Sequence, residues 1–167
     1  VEGVRGATGT SSLSFNVRAA SVKSEPMVPG ETVNGSIDVP GQTSRFTFDL
    51  ASQARMLFDA LSYNTNFTWS LKGPQGNVVS NRSYYSSDGT SNQPWMQLAA
   101  GSYELVVDGT GEAVGAFQFR LLDIADAKPV TTGTVVAGVL SPVAAMDMYQ
   151  LSLKVGDRIY LDSLAVD

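Results

Sequence analysis

The sequence of 167 residues contains no cysteine and no histidine. Without histidine the chain has no imidazole to act as a general base, so a Ser-His-Asp triad and a Cys-His dyad are excluded. Without cysteine it has no disulfides, no thiol redox chemistry and no thiolate ligand for zinc. The metal chemistry that remains is coordination by oxygen, which suits calcium.

Charged residues are also scarce, at 16% of the chain. The formal net charge of −5 argues against nucleic acid as a partner, because binding a phosphate backbone needs a basic face. No apolar run approaches the ~20 residues of a membrane-spanning helix, so we expect no membrane insertion. The chain begins VEGVRGATGT, without Met and without the regions of a signal peptide, and is expected to be a piece of a longer protein.

Ser, Thr, Gly and Pro are abundant and make up about a third of the chain, beside 43% hydrophobic residues. Apolar and polar residues alternate in several short segments, for example around Phe46 and Phe48, which is the period of a strand with one buried face. Turn residues separate these segments at 72–77, 99–102 and 108–111. The pattern predicts an all-β protein, an antiparallel β-sandwich with jelly-roll-like or Greek-key connections, with an up-and-down barrel as the alternative.

The sequence also repeats itself at a spacing of 103 residues. Residues 26–64 align without a gap on residues 129–167, and the aligned positions share prolines, glycines and charged residues. The matched pairs include Pro26 and Pro129, Gly30 and Gly133, Val33 and Val136, Gly35 and Gly138, Arg55 and Arg158, Asp59 and Asp162, and Leu61 and Leu164. At a spacing of 102, residues 15–18 match residues 117–120, and both segments end in arginine.

This repeat predicts a tandem arrangement of units of about 103 residues. Residues 1–25 would be the last strand of a preceding unit and a linker, residues 26–128 a complete β-sandwich, and residues 129–167 the first strands of the following unit. The alternative is a chance likeness, because Val, Leu and Gly recur in all strands. If the repeat is real, neither flanking part can bury a full core, so both should pair with each other, with the central unit or with another molecule.

Several acidic residues are candidate calcium ligands. Asp88 and Asn92 lie in one polar turn and Asp108 lies in another, although Asp in such turns also serves to cap the turn itself. Asp123 and Asp126 lie near the predicted unit boundary, where a calcium ion would stiffen a linker. None of these residues has the ligand spacing of an EF-hand or of the RTX nonapeptide.

Aromatic residues are the candidates for a ligand-binding surface. Residues 81–94 are polar and predict a long loop that contains Tyr84 and Tyr85 and leads to Trp95. Exposed rings of this kind stack on sugars, although a position in the core or at its rim is the alternative for Trp95. Trp69 lies in an alternating segment and is predicted to be a core residue.

The recurring acid Asp59, with its counterpart Asp162, raises the question of catalysis. A glycosidase needs two carboxylates about 5–10 Å apart, and no second acid recurs in the aligned segments. We therefore expect Asp59 to have a structural role, pairing with a neighbouring strand or loop, and we expect that the chain is not an enzyme.

Four segments resemble motifs of bacterial pre-peptidase C-terminal (PPC-like) domains. They are the strand and turn of residues 66–76, the hairpin of residues 95–109, the strand of residues 119–123, and the strand and turn of residues 147–158. The resemblance covers essentially the whole chain. The central unit departs from the pattern at one position, where Ser44 replaces the acid that Asp147 supplies in the following segment.

The resemblance implies a non-catalytic β-sandwich repeat of a large secreted or cell-surface, adhesin-like bacterial protein. Its role would be that of a structural spacer or interaction module. The partners implied are neighbouring repeats of the same chain and a polysaccharide or a host or cell-surface protein, and some such modules bind calcium. The alternative function is a carbohydrate-binding module that uses the loop aromatics and calcium.

Overall fold

The structure is a computed structural model that describes residues 8–10, 12–17, 19–85, 87–90, 93 and 95–164. In these ranges the chain forms β-strands and a short 3-10 helix at Ile124–Asp126. The strands are β1 (Val22–Pro26), β2 (Val33–Ile37), β3 (Thr43–Leu50), β4 (Ala54–Ala60), β5 (Phe67–Gly73), β6 (Gly76–Ser83), β7 (Met96–Leu98), β8 (Gly101–Gly109), β9 (Gly115–Asp123), β10 (Lys128–Val130) and β11 (Tyr149–Leu151). Among the described residues, no helix is long and apolar enough to span a membrane.

Nine of these strands form two sheets that enclose one core. The first sheet has the order β1-β3-β8-β5-β6 and the second the order β2-β9-β4-β7. Neighbouring strands are antiparallel except β1, which lies parallel to β3 at the edge of the first sheet. The predicted all-β antiparallel sandwich is therefore confirmed. The local sequence pattern does not indicate the parallel edge strand.

Aromatic rings from both sheets fill the core. Phe58 of β4 stacks on Trp69 of β5 with ring centroids 4.2 Å apart, and Phe46 of β3 meets Phe119 of β9 edge to face at 5.3 Å. All four rings are at most 3% exposed. Because they occupy alternate positions of their strands, the period of two seen in the sequence is the pattern that builds the core.

The predicted turns lie where the sequence indicates, between β5 and β6, β7 and β8, and β8 and β9. The predicted loop at 81–94 is shorter, because β6 continues to Ser83 and the Tyr84 amide donates to the Phe67 carbonyl at 3.0 Å. Asn81 has a positive φ of 47°, and the pairing of β5 with β6 shifts register in this region. These irregularities break the alternation, which is why the polar sequence resembles a loop.

Strand β1 belongs to the central sandwich. Its residues Val22–Pro26 pair with β3, although the sequence assigns most of them to the end of the preceding unit. After the sandwich, β10 and β11 form a separate two-stranded parallel sheet. This small sheet is the part of residues 129–164 that forms regular structure.

Candidate functional site

Tyr84 is a core residue, and its predicted place on a binding surface is wrong. Its side chain is 0% exposed, and its ring contacts Phe58, Phe67 and Phe117. The phenol donates to the Gln118 carbonyl at 2.5 Å. Burial raises the pKa of Tyr84 above its ordinary value. Among the polar neighbours that suggested a loop, Asn81 and Ser83 are exposed residues of the edge strand β6, whereas Ser87 and Asp88 are buried.

Tyr85 and Trp95 do lie on the surface, 48% and 53% exposed respectively. The Arg55 guanidinium lies 5.8 Å from the centroid of the Trp95 ring, because Arg55 pairs with Gln97 across β4 and β7. Trp95 thus lies at the rim of the second sheet with one cation against its ring. A ligand-binding role for these two residues stays a prediction.

The predicted calcium ligands are dispersed. Asp108 is exposed near the end of β8, and Asp126 is exposed in the 3-10 helix. Asp123 accepts a hydrogen bond from the Ala125 amide at 2.9 Å and caps that helix. Asn92 lies outside the described residues. In the part of the chain that the structure describes, no group of three or more Asp and Glu residues is placed to hold a metal ion.

The sequence predicts Asp88 as a calcium ligand in a polar turn, but its side chain is buried and already accepts hydrogen bonds from protein donors. Its side chain accepts from the Phe58 amide at 2.9 Å and from Nη1 of Arg82 at 2.7 Å. Burial raises the pKa of Asp88, against the opposing effects of the Phe58 amide and Arg82. The Asp88 amide also donates to the Phe58 carbonyl at 2.8 Å, so this acid fixes the loop to β4 rather than presenting a free metal ligand.

Asp59 lies at the centre of a second buried group. It faces Arg120 across β4 and β9 and is 0% exposed. Its Oδ2 accepts from Nε and Nη2 of Arg120, at 3.0 and 2.5 Å, and its Oδ1 accepts from the Ser87 hydroxyl at 2.7 Å. Pairing with a neighbouring strand and loop is the structural role that the sequence predicts for Asp59. We call Asp59, Ser87 and Arg120 the junction cluster.

The junction cluster also binds the backbone of Met146, in the segment that precedes β11. The Met146 amide donates to Oδ2 of Asp59 at 3.3 Å, and the Met146 carbonyl accepts from Nη2 of Arg120 at 3.2 Å. The neighbouring Ala145 is buried. The recurrence of Asp59 in the sequence indicated one member of the cluster, but nothing in the sequence indicated Met146, because the contact is made by its backbone.

These contacts define what the buried acids do. Asp59 and Asp88 are 0% and 1% exposed, and each is paired with an arginine. A substrate therefore reaches neither carboxylate, and both hold strands and loops together. A groove on the outer face of the first sheet, lined by Asp49, Lys72 and Glu104 among others, is open and shallow.

No family model matches the chain, and no curated protein sequence matches it. Among solved structures, the chain is similar to the pre-peptidase C-terminal domain of a collagenase from Bacillus anthracis, with 19% identity and a TM-score of 0.46 over 64% of this chain and 99% of that domain. It is also similar to PliG of Aeromonas hydrophila, a periplasmic inhibitor of g-type lysozyme, with 15% identity and a TM-score of 0.40 over 62% of this chain and 99% of that one. The first of these two structures is a domain of the kind that the sequence motifs resemble.

Proposed function

We propose that the chain is part of a tandem array of non-catalytic β-sandwich units that serves as a structural spacer and interaction module in a large secreted or cell-surface bacterial protein. The observation that carries this proposal is that β10 and β11 repeat the pairing of β1 and β3. Both pairs are parallel, whereas the other strand pairs of the described residues are antiparallel.

The two parallel pairs have the same register at the spacing of the sequence repeat. Two of the three residue pairs of β10 and β11 correspond to pairs of β1 and β3 that lie 103 positions earlier. The equivalent pairs are Glu25 with Phe46 and Lys128 with Tyr149, then Pro26 with Thr47 and Pro129 with Gln150. A sequence repeat and a repeated register are separate observations, and together they support residues 129–167 as the start of a following unit.

The properties of the side chains favour a spacer over a catalyst. The buried acids are neutralised by arginines, and most of the aromatic rings pack in the core. The absence of cysteine allows folding without an oxidant, and the motif resemblance supports a place outside the cell. A folded unit of this kind adds length and stiffness to a chain.

The experiment that tests this proposal extends the chain by a second copy of residues 65–128, joined after residue 167. If residues 129–167 begin a unit, the extended chain contains two complete sandwiches. We expect the urea m-value to rise about twofold, because m scales with the surface exposed on unfolding. Small-angle X-ray scattering should give two lobes at a fixed separation. An unchanged m-value, with the added residues unfolded, would contradict the array.

A second candidate function is carbohydrate binding at Trp95, supported by the exposure of half of its side chain beside Arg55. The test is a glycan array probed with the wild-type chain and with Trp95→Ala. Tyr63→Ala is the control, since Tyr63 is another exposed ring, 75% exposed. Binding that is lost in Trp95→Ala and kept in Tyr63→Ala supports this function, and no binding by the wild type contradicts it.

A further inference from the structure

We infer that the junction cluster is a docking site for the backbone of the following unit and that it fixes the angle between neighbouring units. The inference rests on the proposed array, since the partner it names is the next unit of the same chain. The occupant is the segment 145–148, which lies against the central sandwich and leads directly into β11.

The cluster presents one acceptor and one donor to the same residue. Oδ2 of Asp59 accepts a hydrogen bond from the Met146 amide, and Nη2 of Arg120 donates one to the Met146 carbonyl. A backbone residue that pairs with a neighbouring strand finds one acceptor and one donor there. Asp59 and Arg120 supply these two partners to Met146, so the ion pair takes the place of a strand. Because Ser87 and Arg120 also bind the Asp59 carboxylate, residues of the central sandwich position the acceptor.

The side chains around Met146 also fit a docking site. A Cβ built on Gly89 would lie 2.6 Å from Sδ of Met146, so the absence of a side chain at Gly89 leaves room for the thioether. The adjacent Asp88 is anchored to Phe58 and Arg82. The loop that carries Gly89 is thus held in place by the core.

The docked segment also contacts Lys128 of β10. The Lys128 amide donates to the Met148 carbonyl at 2.9 Å, and Nζ of Lys128 lies 2.9 Å from Oδ2 of Asp147. Residues 145–148 therefore contact the central sandwich through the junction cluster and β10 through Lys128, the last residue before the predicted unit boundary. A segment with contacts on both sides transmits the orientation of one unit to the next.

The sequence repeat extends this arrangement along the chain. Asp162 is the counterpart of Asp59 at the spacing of 103, and Arg18 is the counterpart of Arg120 at the spacing of 102. Arg18 lies outside the described residues. Because the cluster recognises backbone atoms, the residue it binds is free to differ from unit to unit.

The test measures hydrogen exchange by mass spectrometry in the full chain with two variants. Met146→Pro removes the amide that donates to Asp59, and Gly89→Trp fills the space of the Met146 side chain. Val143→Pro is the control, since Val143 is 89% exposed. We expect exchange in residues 145–151 to become about tenfold faster in both variants, as for a lost hydrogen bond to a charged group, with β3 and β8 unchanged.

Unchanged exchange in residues 145–151 in both variants would overturn the inference. An equal loss of protection throughout β3 and β8 would overturn it too, because a junction contact should open without unfolding the sandwich. The failure of the array proposal is a separate result. In the extended chain, two folded lobes at variable separation would reject the fixed junction and keep the array, whereas a single lobe would reject the array.

Discussion

Residues 22–60 and 125–163 lie 103 positions apart and have related sequences from Pro26 and Pro129 onward, but the two regions form different amounts of structure. The first region contains four strands, β1 to β4, whereas the second contains only the three-residue strands β10 and β11. The difference is largest at β4, where Phe58 is 0% exposed and its counterpart Leu161 is 91% exposed.

The strands that are missing from the second region are those whose partners come from later in a unit. Strands β2 and β4 both pair with β9, and their counterparts at 136–140 and 157–163 have no such neighbour among the described residues. Strands β10 and β11 pair with each other. An alternating apolar pattern is therefore not enough to form a strand here, because the segment also needs a neighbouring strand to pair with and a face that is buried.

The largest contrast is expected at the core position of β4. Phe58→Ala should lower the free energy of unfolding by about 3–5 kcal/mol, because it leaves a cavity beside Trp69 and Phe119. Leu161→Ala should change it by less than about 0.5 kcal/mol, as for an exposed residue. Urea unfolding followed by tryptophan fluorescence measures both, and equal losses would remove the contrast between the two regions.

The recurring acid gives the next contrast. Asp59→Asn should cost about 3 kcal/mol, because it leaves Arg120 without its buried counter-charge. Asp162→Asn should have almost no effect in the present chain. Both values come from the same urea titrations, and a cost at Asp162 as large as that at Asp59 would mean that the second region already forms a β4-like pair.

The recurring glycine gives a smaller contrast. A Cβ on Gly35 would collide with the Phe117 ring, whereas at Gly138 the nearest atom is the Tyr149 hydroxyl at 3.5 Å. Gly35→Ala should therefore cost about 2 kcal/mol, as overpacking does, and Gly138→Ala should be close to neutral. In the extended chain, Gly138→Ala should become destabilising, because a second copy of Phe117 would then face it. A neutral Gly35→Ala in thermal melts would contradict the close packing.

The smallest effect is in the pH dependence, where Asp88 and Asp147 should act in opposite directions. Burial raises the pKa of Asp88 above 3.8, so its contribution favours the folded state at low pH and is lost as the pH rises through the raised pKa. The hydrogen bond from Lys128 lowers the pKa of Asp147, so its contribution is present above pH 3.8 and is lost as the pH falls through the lowered pKa.

Two measurements against pH check the two signs: urea titrations for Asp88 and hydrogen exchange for Asp147. Asp88→Asn should make the unfolding free energy rise more steeply, or fall less, with increasing pH. Acidification should destabilise the small sheet of β10 and β11, and Asp147→Asn should remove part of that loss. Hydrogen exchange in residues 128–151 measures the local stability. A change of slope in the reverse direction in either variant would contradict the assigned cause.

The sequence predicts those parts of the fold that depend on local pattern. Alternation and turn residues indicate the all-β sandwich, the hairpin turns and the core position of Trp69, because each depends on residues close together in the chain. The place of Tyr84 could not be predicted, since the irregular pairing near Asn81 interrupts the alternation. The parallel pairing of β1 with β3 leaves no local signal that distinguishes it from an antiparallel pair.

The site was predicted less completely, for a related reason. Asp88 precedes glycine and resembles an exposed turn residue, but it is buried and bound to the Phe58 amide, which lies 30 residues earlier in the sequence. The recurrence of Asp59 indicated a structural acid. Its contact with Met146 is made to a backbone amide, which every residue except proline carries, so no residue type reveals it.

The most direct test of the array is hydrogen exchange at residues 157–163 in the extended chain, with the present chain and an extended Leu161→Asp variant as controls. The account predicts that exchange slows to the rate of Ala54–Ala60 in the extended chain, because residues 157–163 then gain a β9-like partner and a core. It should stay fast in both controls. Exchange at 157–163 that is as fast in the extended chain as in the present one would contradict the tandem repeat.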